Sequence, residues 1–333
     1  MAKTFEGVDK VEMIVTRDLR KIFKNGKNIV EAVKNVSLHV NQGEIFGLIG
    51  PNGAGKTTTM RMLTTLMTPS VGFASIVGYD LFKNPKQIRE KIGYVSQKGG
   101  CYEFATGYEN LVLQGRLYGL SKTTASENAE KLIQAFNMEE YCHRKVITYS
   151  GGQRRHVDLG MGVMHNPELL FLDEPTTGLD PTSRDNFWNT IKNMRDKGIT
   201  VFLTTHYLDE ADSLCDTICI MDHGMVVAEG TALELKRQIA GDIIEIGMSP
   251  VYFEKAKELL QFRRDVNEIL TTDSAIKLYV EAGEKVLPEI LPAFVEAKIP
   301  IATIEMTRPS LDEVFLKKTG HSLENNQKMG MTH

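Results

Sequence analysis

At 333 residues the chain can bury a large core and has room for more than one domain. Its 42% hydrophobic and 25% charged residues are ordinary for a soluble globular protein, and a formal net charge of -4 gives no electrostatic reason to expect a nucleic-acid partner. Cys101, Cys142, Cys215 and Cys219 form no CxxC pair or metal-spaced set, the N-terminal MAKTFEGVDKVEMIV lacks the apolar run of a signal peptide, and no stretch approaches the ~20 continuous apolar residues that span a bilayer.

Residues 1–10 read as a loose leader, 11–15 as a short strand and 28–40 as a second extended region, with a turn at 24–27 between them. Phe23, just before that turn, could stack on a nucleotide base or cover a sheet edge. The stretch 44–58, EIFGLIGPNGAGKTT, is the most informative in the chain. Ile45, Phe46, Leu48 and Ile49 supply an apolar strand. Gly50, Pro51, Asn52, Gly53, Ala54, Gly55, Lys56 and Thr57 then fit the phosphate-loop pattern, and Thr58 continues into a helix expected to reach residue 67. Glycines let the backbone curl around an anion with its N–H groups inward, and the following helix presents its N-terminus to the same charge. Lys56 can reach the outer phosphates, and the Thr57 hydroxyl can ligate Mg²⁺.

Further on, 73–77 reads as a strand, 85–91 as a helix opened by proline, and 92–96 as a strand ending at Gln97, a solvated loop residue or a ligand to metal or water. Residues 98–149 turn helical, at 109–118 and 126–136, as an insertion in a mixed sheet protein. Ser150, Gly151, Gly152 and Gln153 open a helix to residue 164; they are a cap and turn or a second anion site. The apolar run 169–172 has the look of a covered central parallel strand and ends in Asp173 and Glu174, acids that are costly to bury without partners. Open α/β sheets bind ligands beyond such strand ends. A turn at 176–180, a helix at 181–197, a strand at 199–203 ending near His206, a helix at 208–215 and a hairpin around His223 and Gly224 complete this part. Alone, His206 reads equally as a structural residue or a phosphate contact. Composition shifts near Gly230, and 231–238 reads as a capped helix or linker. Residues 242–320 alternate strand (242–246), helix (252–260), strand (275–280), helix (286–297), strand (301–306) and helix (309–318), and the polar tail 321–333 reads as disordered.

A phosphate loop alone leaves kinases, GTPases and motor ATPases open. The order of Phe23, the loop, Gln97, Ser150–Gln153, Asp173–Glu174 and His206 resembles the nucleotide-binding subunit of ATP-binding cassette (ABC) transporters over residues 12–235. The resemblance implies an α/β P-loop fold with a helical subdomain at about 98–165. It makes Phe23 the adenine-stacking aromatic, 50–58 the Walker A loop, Gln97 the Q-loop glutamine, 149–153 the signature, Asp173 the Walker B aspartate, Glu174 the catalytic glutamate, Asp180 the D-loop aspartate and His206 the switch histidine. ATP and Mg²⁺ follow, the metal held by Thr57, Gln97 and, through water, Asp173. Tyr149 stands where the signature normally has leucine, a departure expected to alter packing. A head-to-tail dimer is also implied, with Ser150 and Gly152 of one subunit closing over ATP on the other, and a membrane permease received by the helical region.

The ending TRPSLDEVFLKKTG at 307–320 resembles drug-resistance and sodium-export ATPases that work with multi-span ABC-2 permeases, which implies a small α+β, ferredoxin-like accessory domain at 242–320. The expectation is the ATPase subunit of an exporter at the cytoplasmic face of the membrane. The rival is a soluble cassette ATPase acting on ribosomes or nucleic acid; a single cassette and the lack of a basic tract weigh against it.

Overall fold

The computed structural model describes residues 11–26, 28–238, 241–307 and 310–321. The expected leader, and the tail from residue 322, lie outside them. The described residues form two units, divided between Glu229 and Gly230.

In the first unit, β1 (Glu12–Asn25), β2 (Asn28–Val36) and β3 (His39–Asn41) lead into β4 (Ile45–Ile49) and α1 (Lys56–Leu63). β5 (Val71–Ile76), β6 (Tyr79–Asp80), α2 (Pro85–Lys91) and β7 (Ile92–Val95) follow, and then α3 (Gly107–Leu117), α4 (Lys122–Ala135) and α5 (Gly151–Val163). β8 (Leu169–Asp173), α6 (Pro181–Asp196), β9 (Thr200–Thr205), α7 (Leu208–Leu214), β10 (Thr217–Asp222) and β11 (Met225–Gly230) close the unit. One sheet is antiparallel, in the order β2-β1-β5-β6, with β3 also on β1. The other runs β11-β10-β4-β9-β8-β7, and its β10-β4-β9-β8-β7 portion is parallel.

Side chains on successive strand residues point to opposite faces. Ile45, Leu170, Leu172, Val201 and Leu203 therefore pack with α3, α4 and α5 residues such as Leu111, Ile133 and Val157. Phe46, Leu48, Phe171 and Phe202 pack with β1, β2 and α1. Because β4, β7, β8 and β9 run parallel, the loop at 50–55, Gln97, Glu174 and His206 all emerge at the same sheet edge. The first strand is far longer than the 11–15 expected: β1 continues to Asn25 and pairs with β2 across the turn, which puts Phe23 opposite Val30.

The second unit holds α8 (Ala232–Arg237), β12 (Asp242–Gly247), α9 (Phe253–Leu260), β13 (Val266–Thr271), β14 (Ala275–Val280), α10 (Gly283–Glu296), β15 (Thr303–Thr307) and α11 (Leu311–Thr319). Its antiparallel sheet, β13-β14-β12-β15, is that of a ferredoxin-like βαββαβ unit. Ile246, Ile276, Leu278 and Val280 pack against Leu260, Ile290 and Phe294 of α9 and α10. On the other face Lys277 Nζ and Tyr279 Oη each donate to the Glu313 carboxylate of α11 at 2.6 Å. β13 is absent from the sequence reading. It is an edge strand with no fully buried side chain, so no apolar face marks it.

Candidate active site

The loop after β4 closes on itself through its own lysine: Lys56 Nζ donates to the carbonyls of Gly50 at 2.7 Å and Pro51 at 3.1 Å. The turn needs glycine at Gly55, where φ is 104° and a Cβ would stand 2.6 Å from the Ala32 carbonyl oxygen. Phe23, Val30, Ala32, Pro51, Asn52, Gly53, Gly55, Lys56, Thr57, Thr58 and Glu174 line one cleft of about 360 Å³. Gly50 and Ala54 belong to the same loop and are buried: the Gly50 carbonyl holds Lys56, and that of Ala54 accepts from Gly224 N at 2.9 Å.

Glu174 is the meeting point. Its Oε2 accepts from Gln97 Nε2 at 2.9 Å and Thr177 Oγ1 at 3.3 Å and lies 3.1 Å from His206 Nδ1, while Oε1 is 3.8 Å from Lys56 Nζ. Three other segments, carrying Lys56, Gln97 and His206, thus converge with the glutamate's own loop on one carboxylate. Burial pushes its pKa up, but the close approach of the His206 ring, the Lys56 ammonium and the Thr177 hydroxyl outweigh that and hold it below its ordinary value. Burial conversely pushes the Lys56 ammonium down, opposed by Glu174 and Asp173. Asp173 Oδ1 accepts from Thr204 Oγ1 at 2.7 Å and Thr57 Oγ1 at 3.3 Å. The hydroxyl of Thr57, the amide oxygen of Gln97 and the carboxylate of Asp173 are hard oxygen donors at one strand edge, a set that fits Mg²⁺.

Residues 150–153 and Asp180 do not enter this cleft. Ser150 caps α5: its Oγ accepts from Gln153 N and Gln153 Oε1 accepts from Ser150 N, both at 3.2 Å. Ser150, Gly152 and Gln153 instead line a separate polar groove with Ser183, Asn186 and Asn189 of α6, and Gly151, the first residue of α5, is exposed. Asp180 caps α6, taking Ser183 N at 3.0 Å and Ser183 Oγ at 2.5 Å, bonds that lower its pKa. The Tyr149 hydroxyl donates to the Tyr141 carbonyl at 2.7 Å and receives Gly107 N at 3.1 Å, tying the start of α3 to the residue that precedes the α5 cap. Sequence reasoning missed Thr177 and Thr204. Thr177 sits three residues from Glu174, within reach of a motif; Thr204 is legible only from the pairing of β8 with β9, which sets it opposite Asp173.

The family described as ABC transporter matches residues 33–177, and the one described as ATP-binding protein DrrA1-3-like, C-terminal domain, matches 230–319. The doxorubicin resistance ATP-binding protein DrrA of Mycobacterium tuberculosis (strain ATCC 25618 / H37Rv) is 40% identical over 319 residues, 94% of this chain and 95% of that protein. The chain belongs to the ABC transporter ATP-binding subunits, in their drug-resistance branch. Another such subunit, the linearmycin resistance ATP-binding protein LnrL of Bacillus subtilis (strain 168), is 34% identical over 94% of this chain and all of its own length. Among solved structures, an ATP-binding cassette in a dimeric post-hydrolysis state with ADP and Pi is 26% identical, with a TM-score of 0.60 over 66% of this chain and 98% of that one. This ABC subunit is an ATP-binding and ATP-hydrolysing protein. Among its described residues no helix is long and apolar enough to cross a membrane.

Proposed function

We propose that this ABC subunit hydrolyses ATP at a site shared between two copies and thereby drives export through a separate ABC-2 type permease. The observation that carries the reading is the convergence of Lys56, Gln97, Thr177 and His206 on Glu174 beside the phosphate loop. Phe23 stacks the adenine over the apolar floor of Val30 and Ala32. The amides of 50–58 and the Lys56 ammonium neutralise charge on the phosphoryl oxygens. Thr57, Gln97 and, through water, Asp173 would hold Mg²⁺, which would supply further charge neutralisation at the phosphates. Glu174 orients the attacking water and takes its proton as an ionised carboxylate. His206, which lies against Glu174, would turn to the γ-phosphate when nucleotide enters, and Gln97, which donates to Glu174, would turn to hold Mg²⁺. Ser150, Gly152 and Gln153 lie outside the cleft, which supports a head-to-tail arrangement in which they close, with Asp180, over the other copy's nucleotide. The resistance ATPases among the relatives support an exported drug-like cargo.

The test isolates the tagged Glu174→Gln chain with ATP from detergent-solubilised cells. The expected product binds ATP as wild type does, turns over at less than about a hundredth of its rate, and elutes as a dimer with a multi-span permease. Unchanged turnover overturns the role of Glu174. Ribosomes or nucleic acid in place of a permease overturn the export reading.

A further inference from the structure

The roles proposed above occupy the first turn of α5 and the side chains around Glu174. They leave Arg155, in the second turn, without a task, though it is a guanidinium with only 7% of its surface exposed. All its donors go to backbone carbonyls. Nε donates to Pro175 at 2.6 Å, Nη1 to Ser96 at 2.8 Å and Gln97 at 3.4 Å, and Nη2 to Asp173 at 3.3 Å and Glu174 at 3.4 Å. Those carbonyls belong to just two segments, the end of β7 with Gln97 and the end of β8 with Glu174.

One turn on, Asp158 takes the opposite polarity of the same loop. Its Oδ1 accepts from Gly100 N at 2.7 Å, Cys101 N at 3.2 Å and Cys101 Sγ at 3.1 Å, and its Oδ2 lies 4.0 Å from Arg155 Nη1. The segment that carries Gln97 is therefore gripped by its carbonyls and by its amides from one helix. That helix lies directly on the strand: a Cβ at Gly93 of β7 would stand 2.2 Å from the Gly162 carbonyl oxygen of α5. A buried ion pair is a weak source of net stability, but a planar guanidinium forked between two strand ends is a stiff link.

We propose that Arg155, braced by Asp158, is a positioning residue that ties Gln97 and Glu174 to the helix beginning at Ser150. Seating of Ser150 and Gly152 on one nucleotide then sets the geometry of the hydrolytic site in their own subunit, and the two sites fire in concert. This rests on the two-copy reading above. The lever is short, because Arg155 lies little more than one turn inside the residues that would meet the other copy's nucleotide. A misplacement of about 1 Å at a reacting group can cost on the order of 100-fold in rate, so a slackened link reaches the chemistry without Arg155 touching ATP.

The test uses the full-length chain with Arg155→Met, Arg155→Lys and Asp158→Asn. It compares steady-state hydrolysis against ATP concentration, equilibrium ATP binding, and ATP-dependent dimerisation in a Glu174→Gln background. For wild type we expect a sigmoidal ATP dependence, and a hyperbolic one overturns the concerted firing; for Arg155→Met we expect kcat to fall at least about tenfold, ATP affinity to stay within about twofold, the dimer to form, and the ATP dependence to flatten to a hyperbola. Arg155→Lys keeps the charge but cannot span both strand ends, and recovers part of kcat. Asp158→Asn keeps the shape and an acceptor oxygen, and lowers kcat several-fold at unchanged affinity; it decides the matter if Arg155→Met does not fold. The proposal is overturned if Arg155→Met leaves kcat within about twofold, if the ATP dependence keeps its steepness, or if activity and ATP binding fall together in both Arg155→Met and Asp158→Asn, which marks a purely structural pair. Failure of the two-copy reading shows up separately: Glu174→Gln alone then stays monomeric in ATP, and the proposed link between sites goes with it.

Discussion

Glu174 combines three features that rarely coincide: a buried carboxylate, a φ of 43° in the left-handed region, and an amide that bonds both the hydroxyl and the carbonyl of Thr204. Strain of this kind, about 1–3 kcal/mol, persists where the surroundings over-determine a conformation, and here they aim the side chain at the phosphate loop. The folded pKa of Glu174 lies below the unfolded one, so its ionised form contributes stability that is fully present above the ordinary carboxylate value of about 4.3 and is lost as pH falls through the lower folded value. Urea unfolding of the nucleotide-free wild type and of Glu174→Gln should therefore give a stability difference that shrinks between about pH 5 and pH 3. A difference that stays constant over that window contradicts the assigned environment. The motif side chains themselves were legible in the sequence, because a phosphate loop and a strand ending in two acids encode local backbone. Their supports were not. Thr204 reaches Asp173, and Arg155 reaches the carbonyls at 96–97 and 173–175, through strand pairing and helix packing that no spacing announces.

Among the elements, β4, β8 and β9 were readable as apolar runs because both their faces are covered. β1 was readable only at its start. Beyond Thr16 two exposed residues in a row, Arg17 and Asp18, precede buried Leu19, and the pairing with β2 slips between Leu19 and Lys21 and again before Ile22, which breaks the period-two signal. α7 shows how an element is held at the site. Its Glu210 is fully buried, and Oε1 accepts from Thr176 Oγ1 at 2.8 Å and Trp188 Nε1 at 3.0 Å. The helix after His206 is thereby pinned to the loop after Glu174 and to α6. Burial raises the Glu210 pKa, against the pull of those hydrogen bonds, so its charge is held at a cost that water would not impose. Glu210→Gln keeps an acceptor and removes the charge, and should leave the urea midpoint at pH 7 unchanged or higher. Glu210→Ala strands the Thr176 and Trp188 donors and should cost about 1–3 kcal/mol. The reverse order of the two variants would contradict this account of how α7 is anchored.

Over the whole molecule, the question is where one unit ends and the other begins. Sequence composition changes near Gly230, yet the transporter resemblance runs to residue 235, which would give most of α8 to the nucleotide-binding part. α8 is a short helix with a capping box, Thr231 Oγ1 accepting from Glu234 N at 3.2 Å and Glu234 Oε2 from Thr231 N at 2.9 Å. So short a helix has little stability of its own and needs tertiary packing. α8 packs against α11, and its Leu235 is fully buried. We propose that α8 is the first element of the C-terminal domain rather than the last of the ATPase. Each unit has an apolar core of its own, so heating the full-length chain should give two transitions. ATP binds only the first unit and should raise only its transition, since a ligand stabilises the state that binds it. Leu235→Ala, which opens a cavity worth about 2–5 kcal/mol, should then lower the transition that ATP does not move and leave ATP affinity as it was. If the ATP-responsive transition falls instead, α8 belongs with the nucleotide site and the boundary lies beyond it.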